Sequence, residues 1–217
     1  MPRPAAFVSA LQALSFENTF NPYANKCPVY DKADAPQQRS TFLRGMLDVA
    51  VTYEIDASWI GRDLGYRGGR RTGLALTDDI HIAAHARRWG ISIHYPTKGQ
   101  AIAERTAAVI WAVLEQIEAP IFLWNVFPLH PHEQSEPFSN RSHNARERAA
   151  GEDVLVELIA LLNPKRIVAI GNDAAKSAAR VAPNTTTIQV RHPSYGGQTE
   201  FLSQIRHLYK CQPRSLI

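Results

Sequence analysis

The sequence predicts an α/β fold, a three-layer sandwich in which a central, mostly parallel four-stranded sheet is flanked by helices. Short apolar segments alternate with helical segments through the second half of the chain, which is typical of strands buried on both faces. The 217 residues are 45% apolar and 20% charged, which suffices for one buried core. We therefore predict a single domain over residues 1–217, with residues 1–35 as an irregular arm packed on it.

The first half of the chain carries three helical patterns and one strand. A helix is predicted over Asp34–Val51, because an N-cap residue is followed by apolar residues at helical spacing. Ser58–Gly61 is a short apolar run that ends in a glycine-rich turn, as a buried strand does. Further helices are predicted over Thr77–Trp89 and around Ile110–Ile117, the latter closed by Pro120.

The second half repeats a strand-and-helix rhythm. The predicted strands are Ile121–Val126, Arg166–Ile170 and Thr185–Val190, and the predicted helices are Val154–Leu162, Asn172–Val181 and a last one ending near Tyr209. Ligands of such sheets bind beyond the carboxyl ends of the strands. This rule directs attention to the loops 61–73, 125–133 and 191–197.

The charge distribution indicates an anionic partner. The formal net charge is +4, and 18 of the 24 basic residues are arginines, whose planar fork suits phosphate. An evenly spread surplus would indicate solubility alone. Here the segment 60–72 holds four arginines, four glycines and one acid, so it is a candidate phosphate surface.

The polar residues of the three loops admit structural and functional interpretations. The loop 61–73 lacks the phosphate-binding motifs of nucleotide-binding proteins, which leaves Asp63 either in an Asp–Arg ion pair of a turn or in catalysis. Asn125 follows a buried strand and can brace its loop or read a planar ligand edge. His192 stands between Arg191 and Pro193 at the same predicted edge.

Histidines elsewhere suggest a metal only weakly. His130, His132 and Glu133 lie close in sequence, and His81 and His85 are one helical turn apart. Neither set offers a third ligand at a familiar spacing. We therefore expect no metal and no other cofactor.

Three motifs in order resemble the uracil-DNA glycosylase superfamily. Gly61-Arg62-Asp63-Leu64-Gly65 is similar to its first motif, and the continuation to Gly73 is similar to a run found in bacterial branches. His192-Pro193-Ser194 matches the second motif, and Asn125 in Leu123–Val126 matches the base-reading asparagine. The resemblance covers residues 57–209.

The resemblance implies a mechanism and a site. Asp63 would orient a water and stabilise the cationic sugar, His192 would hydrogen-bond uracil O2, and Asn125 would bind uracil N3–H and O4 after the nucleotide has flipped out of the duplex. Further uracil-binding positions are Arg62, Gly65, Tyr66 and Leu76. The implied DNA-binding residues are Arg67, Arg70, Arg71, Arg191, Ser194, Tyr195, Gly196 and Gly197.

The chain departs from the family pattern at four places. Leu64 replaces a proline, and Gly65 replaces the tyrosine that blocks the thymine methyl, a role for which Tyr66 is a candidate. Leu76 replaces the aromatic ring that stacks on uracil, so we expect Tyr23 or Phe20 of the arm to stack instead. Gly196 stands where other members have an intercalating leucine, which leaves the wedge to Tyr195 or Gln198.

The expected function is excision of uracil from single- or double-stranded DNA by a monofunctional glycosylase that initiates base excision repair. We expect a cytoplasmic monomer without membrane association. A glycosylase for hypoxanthine or xanthine, a non-catalytic DNA-lesion binding module and a small-molecule nucleoside hydrolase remain alternatives.

Overall fold

A parallel sheet of four strands forms the centre of the computed structural model, which describes residues 3–211. The strands of the described chain are β1 (Thr19–Phe20), β2 (Ala57–Asp63), β3 (Ile121–Phe127), β4 (His130–Pro131), β5 (Arg166–Ile170) and β6 (Thr186–Val190). The sheet has the order β3-β2-β5-β6, and every neighbouring pair is parallel. The α/β class and all four predicted strands are confirmed.

Helices cover both faces of this sheet. They are α1 (Pro4–Ala13), α2 (Ala35–Ala50), α3 (Gly69–Thr72), α4 (Ile82–Trp89), α5 (Arg105–Leu114), α6 (Ala145–Leu162), α7 (Asn172–Val181) and α8 (Gln198–Tyr209). Residues of α1, α2, α4, α6 and α7 share one apolar cluster, and residues of α5 and α8 share the other. The strands are buried between these two layers, which explains their continuous apolar sequences.

Alternation along β3 shows how one strand serves both layers. Phe122, Trp124 and Val126 belong to the first cluster, whereas Ile121 and Leu123 belong to the second. Successive side chains of a strand point to opposite faces. β3 is the outermost strand on one side of the sheet, but both of its faces are covered, which explains its almost continuous apolar sequence.

The irregular arm predicted for residues 1–35 is wrong over its first part. Residues 4–13 form α1, in which Phe7, Val8 and Leu11 are buried on one face against the core. Pro4 starts the helix, where its missing N–H costs nothing. From residue 14 to residue 34 the chain is irregular apart from β1, which pairs antiparallel with β4.

The helix predicted over Thr77–Trp89 begins five residues later, at Ile82. Asp78 accounts for the later start of the helix, because its Oδ1 accepts a hydrogen bond from the backbone N–H of His81 (3.0 Å). Aspartate favours such local turns over a helix interior. In residues 3–211 there is no helix with the length and apolar character required to cross a bilayer.

Candidate active site

The predicted catalytic and base-reading residues lie toward the carboxyl ends of three strands of the parallel sheet, β2, β3 and β6. Gly61 of β2 is paired with Asn125 of β3, and Asp63 is paired with Phe127 two residues further on. His192 follows β6, and its Cβ lies 3.3 Å from the point where Gly171, just after β5, would carry a Cβ. The sheet order therefore brings these loops to one edge.

Asp63 is held by contacts to both of its carboxylate oxygens. Oδ2 accepts a hydrogen bond from Nε of Arg62 (2.7 Å), and Oδ1 is hydrogen-bonded to Nδ1 of His143. The side chains of Asp63 and His143 are each 7% exposed. The Asp–Arg ion pair considered from the sequence is present, and the second contact fixes the carboxylate plane.

His143 is a site residue that the sequence motifs did not reveal. It directly precedes Asn144, the N-cap of α6, which forms a reciprocal capping box with Glu147. Arg141 forms an ion pair with the same glutamate, and the His143 ring packs edge-on against Phe127. An Asn-x-x-Glu capping box is readable in sequence, so this signal could have located the loop end but not its contact with Asp63.

Asn125 presents a buried acceptor with no partner. The residue is 1% exposed, and its Oδ1 has no hydrogen-bond partner among residues 3–211. A Cβ at Gly61 would lie 2.4 Å from this oxygen and 3.1 Å from the Leu76 side chain, so only glycine fits there. Buried acceptors are rarely left unpaired, and this one lies at the sheet edge where ligands bind.

Leu76 forms part of the wall around this acceptor. Its backbone has a φ of +54°, and its carbonyl accepts a hydrogen bond from Nε1 of Trp111 (3.1 Å). A left-handed conformation is costly for leucine and is kept only where neighbours enforce it. The structure places Leu76 beside Asn125, since both side chains approach the same point at Gly61, and its contact with uracil stays a prediction.

His192 is held as a neutral hydrogen-bond donor. The backbone N–H of Ser194 donates to Nδ1 (3.1 Å), which places the ring proton on Nε2. Burial lowers the pKa of His192, and the charges of Arg62 and Arg191 lower it further. At neutral pH the imidazole therefore offers an uncharged N–H.

The loop after His192 is shaped by glycine and exposes one large ring. A Cβ at Gly197 would lie 2.1 Å from the His192 carbonyl oxygen, so the backbone turns tightly there. Tyr195 is 98% exposed with a φ of +52°, and Gly196 follows with a φ of +77°. Arg191 is also exposed. These positions are open to a macromolecular ligand.

Two of the arginines predicted to bind DNA are buried instead. Arg70 is 4% exposed, and its Nε donates to the hydroxyl of Tyr30 (2.8 Å). Arg71 is 6% exposed and forms an ion pair with Asp79 (2.6 Å). The short helix α3 turns both side chains into the protein, so contact with phosphate is corrected to a structural role. Arg62 and Arg67 are the exposed cations of the basic segment, and Arg62 is paired with Asp63.

The arm does not supply a stacking ring. Tyr23 is 2% exposed and its hydroxyl donates to the Gly73 carbonyl (2.8 Å), while Phe20 is 7% exposed beneath the guanidinium of Arg70. Both rings are thus enclosed by the protein, which contradicts the expectation that either stacks on a base. The ring nearest the catalytic loop in sequence is Tyr66, partly exposed three residues after Asp63.

Glu104 fills the space that the glycines of the basic loop leave open. Its Oε1 lies 2.2 Å from the point where Gly65 would carry a Cβ, and its Oε2 lies 2.1 Å from the same point at Gly68. Burial, reinforced by the charge of Asp78, raises the pKa of Glu104 to about 7. A titrating carboxyl thus stands where the resemblance expects a methyl-blocking tyrosine.

The histidines considered for a metal have other surroundings. His130 is buried, with Nδ1 near Arg70 (3.0 Å) and Nε2 near the Ser139 carbonyl oxygen (2.8 Å). His85 is buried with Nδ1 near the hydroxyl of Thr77 (3.0 Å). Within residues 3–211 no three His, Cys, Asp or Glu side chains are grouped so as to hold a metal ion.

Comparison with known proteins defines the class. The family model of the uracil DNA glycosylase superfamily matches residues 90–211, which is more than half of the chain and includes Asn125 and His192. The chain belongs to this superfamily. It is therefore a hydrolase of the DNA glycosylase class, and the loop with Asp63 precedes the matched segment.

A solved structure confirms the fold over nearly the whole chain. The crystal structure of wild-type SMUG2 from Pedobacter heparinus superposes with a TM-score of 0.64 and covers 97% of this chain and 98% of its own, at 14% sequence identity. At that identity the likeness concerns the fold. No curated protein sequence matches the chain significantly.

Proposed function

We propose that the protein is a monofunctional uracil-DNA glycosylase. The observation that carries the proposal is the buried, unpartnered Oδ1 of Asn125 at the sheet edge that also holds Asp63 and His192. The N3–H of uracil would donate to this oxygen, while the Asn125 amide would donate to O4. Cytosine has no N–H at position 3 and an amine at position 4, so it cannot present this pattern.

The chemistry is hydrolysis of the bond between N1 of uracil and C1′ of the sugar. As this bond breaks, its electron pair leaves with the base and positive charge grows on the sugar. The carboxylate of Asp63, fixed by Arg62 and His143, would stabilise that charge and orient the water that forms the new bond to C1′. The proton released by the water passes to Asp63 and then to solvent.

His192 would stabilise the departing base. Negative charge develops on O2 of uracil, and the neutral imidazole would donate its Nε2 hydrogen to that oxygen. A donor of this kind contributes roughly 3–4 kcal/mol in comparable sites. Because the pKa of His192 is lowered, the donor is uncharged at neutral pH.

The loop 191–197 would grip the DNA around the flipped nucleotide. Tyr195 is almost fully exposed, so its ring can enter the stack and replace the extruded base at a cost of a few kcal/mol for unstacking. Arg191, Ser194 and the backbone N–H groups near Gly196 and Gly197 would contact the flanking phosphates. We further propose that the enzyme acts as a cytoplasmic monomer.

The decisive experiment measures release of free base. Purified protein is incubated with matched oligonucleotides that carry uracil, hypoxanthine, xanthine or a T·G mismatch, and abasic sites are detected by alkaline cleavage. We expect release of uracil and a loss of activity by orders of magnitude in Asp63→Asn, with DNA binding retained.

Each alternative gives its own result in that experiment. Release of hypoxanthine or xanthine without uracil would reassign the substrate. Salt-sensitive DNA binding without release of any base would indicate a lesion-binding module, and cleavage of free deoxyuridine without cleavage of DNA would indicate a nucleoside hydrolase. Full activity of Asp63→Asn would refute the role of this carboxylate.

A further inference from the structure

A cavity of about 390 Å³ lies beside the catalytic loop and is distinct from the edge that holds Asn125. Its wall is mainly apolar and aromatic, formed by Val29, Tyr30, Tyr66, Ile102 and Phe138, with two arginines. Phe138 is 41% exposed and Val29 is 65% exposed. The size is that of a small-ligand site, and the large apolar side chains at its mouth have no cover in the described chain.

The two arginines of the cavity have different electrostatic surroundings. Arg71 is neutralised by Asp79 and lies over the ring of Tyr30, 4.3 Å from its centroid, so it forms part of the wall. Arg67 is exposed, donates from Nε to the Tyr66 hydroxyl (2.8 Å) and has no ion-pair partner within residues 3–211. The cavity therefore combines an apolar interior with one uncompensated cation at its rim.

Part of the cavity wall comes from the two loops that hold Asp63. Tyr66 and Arg67 follow Asp63 by three and four residues, and the backbone N–H of Tyr66 donates to Oδ1 of Asn140 (3.0 Å). Phe138 stands in the loop that ends at His143. Three residues span at most about 10 Å, so Tyr66 at the cavity wall lies within one or two nucleotides of the sugar that the proposed function places at Asp63.

We propose that this cavity receives an unstacked neighbouring base of the strand that carries the excised base. A nucleobase has two apolar faces that stack on aromatic rings, and its phosphate would meet Arg67. This inference rests on the proposed function. In a duplex the neighbouring base is stacked and paired, so the contribution of the cavity is expected to be larger on single-stranded DNA.

The test is an abasic scan. Equilibrium binding is measured with single-stranded oligonucleotides that carry non-cleavable 2′-fluoro-deoxyuridine at the target position. One neighbour at a time, from two positions upstream to two downstream, is replaced by an abasic tetrahydrofuran. We expect one position to lower the affinity about tenfold and the others to have little effect.

Phe138→Ala is the variant that links the cavity to that position. It should bind the intact oligonucleotide about tenfold more weakly and lose its sensitivity to the abasic replacement, and Phe138→Trp should recover both. Tyr53→Ala is the matched control, because Tyr53 is 56% exposed and precedes β2, at the opposite edge of the sheet.

The outcomes separate this inference from the proposed function. Equal affinity of wild-type protein for all four abasic oligonucleotides, or undiminished sensitivity in Phe138→Ala, would overturn the base-binding cavity while leaving uracil excision intact. Equal affinity for oligonucleotides with 2′-fluoro-deoxyuridine and with thymidine would count against the proposed function, whatever the scan shows at neighbouring positions.

Discussion

Two polar regions of the molecule, the surroundings of α2 and α3 and the carboxyl edge of the sheet, differ in whether their buried polar groups have hydrogen-bond or ion-pair partners. Around α3 and α2, the buried arginines have polar partners. Arg39 pairs with Asp31, both side chains being inaccessible to solvent, Arg71 pairs with Asp79, and Arg70 donates a hydrogen bond to the hydroxyl of Tyr30. At the carboxyl edge of the sheet, Oδ1 of Asn125 is buried without a partner. Tyr195 is nearly fully exposed there.

This difference in partners distinguishes residues that stabilise the fold from residues that are candidates for binding a ligand. A buried charge that is fully paired belongs to the folded structure, and removal of its partner leaves an uncompensated charge. A buried acceptor without a partner costs stability in the free protein, and under the proposed function the N3–H of uracil supplies the missing donor to Asn125. By this criterion the arginine-rich α3 is structural, although its composition suggested DNA contact.

The largest expected effect contrasts Asn125→Ala with Asp31→Ala. Asn125→Ala should lower uracil excision about 100- to 1000-fold and change the free energy of unfolding by no more than about 1 kcal/mol. Asp31→Ala should lower the free energy of unfolding by about 3–5 kcal/mol, because Arg39 stays buried and unpaired. Denaturant unfolding and base-release assays on both variants make the comparison.

The opposite result for either variant would contradict the assignment of one region to ligand binding and of the other to stability. Asn125→Ala that unfolds easily but still excises uracil would make Asn125 a structural residue. Asp31→Ala with unchanged stability would mean that the buried ion pair contributes nothing to folding.

The next largest expected effect is the contribution of Glu104 to the free energy of unfolding, which depends on pH. Its pKa is raised from 4.5 to about 7, so between these values the folded protein binds more protons than the unfolded chain. Stability therefore falls as pH rises from about 4.5 to 7, by at most about 3 kcal/mol, and is level above that range. Glu104→Gln should flatten this part of the profile.

The matched control for that profile is Glu118→Gln. Glu104 is the N-cap of α5, and Glu118 is an exposed acid beyond the C-terminal end of that helix. Its stability profile should follow that of the wild type. A profile of Glu104→Gln that still falls between pH 4.5 and 7 would assign the titration to another group.

The sequence was sufficient to predict the sheet but not the surroundings of the site. The strands are continuous apolar runs buried on both sides, and the carboxyl-edge rule selected the loops of Asp63, Asn125 and His192. The irregular arm was predicted from the turn formers and aromatics that follow α1, and α1 itself was missed because it is short and buries only three residues. Local patterns thus predict an element only when its apolar face is long enough to be seen.

Contacts between distant segments explain the residues that were missed or misassigned. His143 contacts Asp63 across 80 residues, and Glu104 enters the loop of Gly65 and Gly68 from about 40 residues away. Arg71 was assigned to the surface because a basic, glycine-rich run is typical of phosphate sites, but Asp79 turns it inward. No spacing rule encodes such pairings, since they depend on tertiary packing.

His143 is expected to act on catalysis through the orientation of Asp63. His143→Ala should lower kcat about 10- to 100-fold with little change in KM, since the carboxylate loses one of its two anchors and small misplacements of reacting groups are costly. His143→Asn can restore a donor near the position of Nδ1 and should recover part of the rate. Equal KM and kcat losses in both variants would indicate a general structural defect instead.

The smallest expected effect compares two arginines of one segment. Arg67 is exposed and Arg71 is buried against Asp79. Arg67→Ala should weaken DNA binding a few-fold and reduce the salt dependence of the binding constant by about one counterion, with unchanged stability. Arg71→Ala should lower the free energy of unfolding and leave the salt dependence of the binding constant unchanged. Binding isotherms at several salt concentrations and unfolding curves, measured on both variants, therefore distinguish a DNA contact from a partnered interior charge.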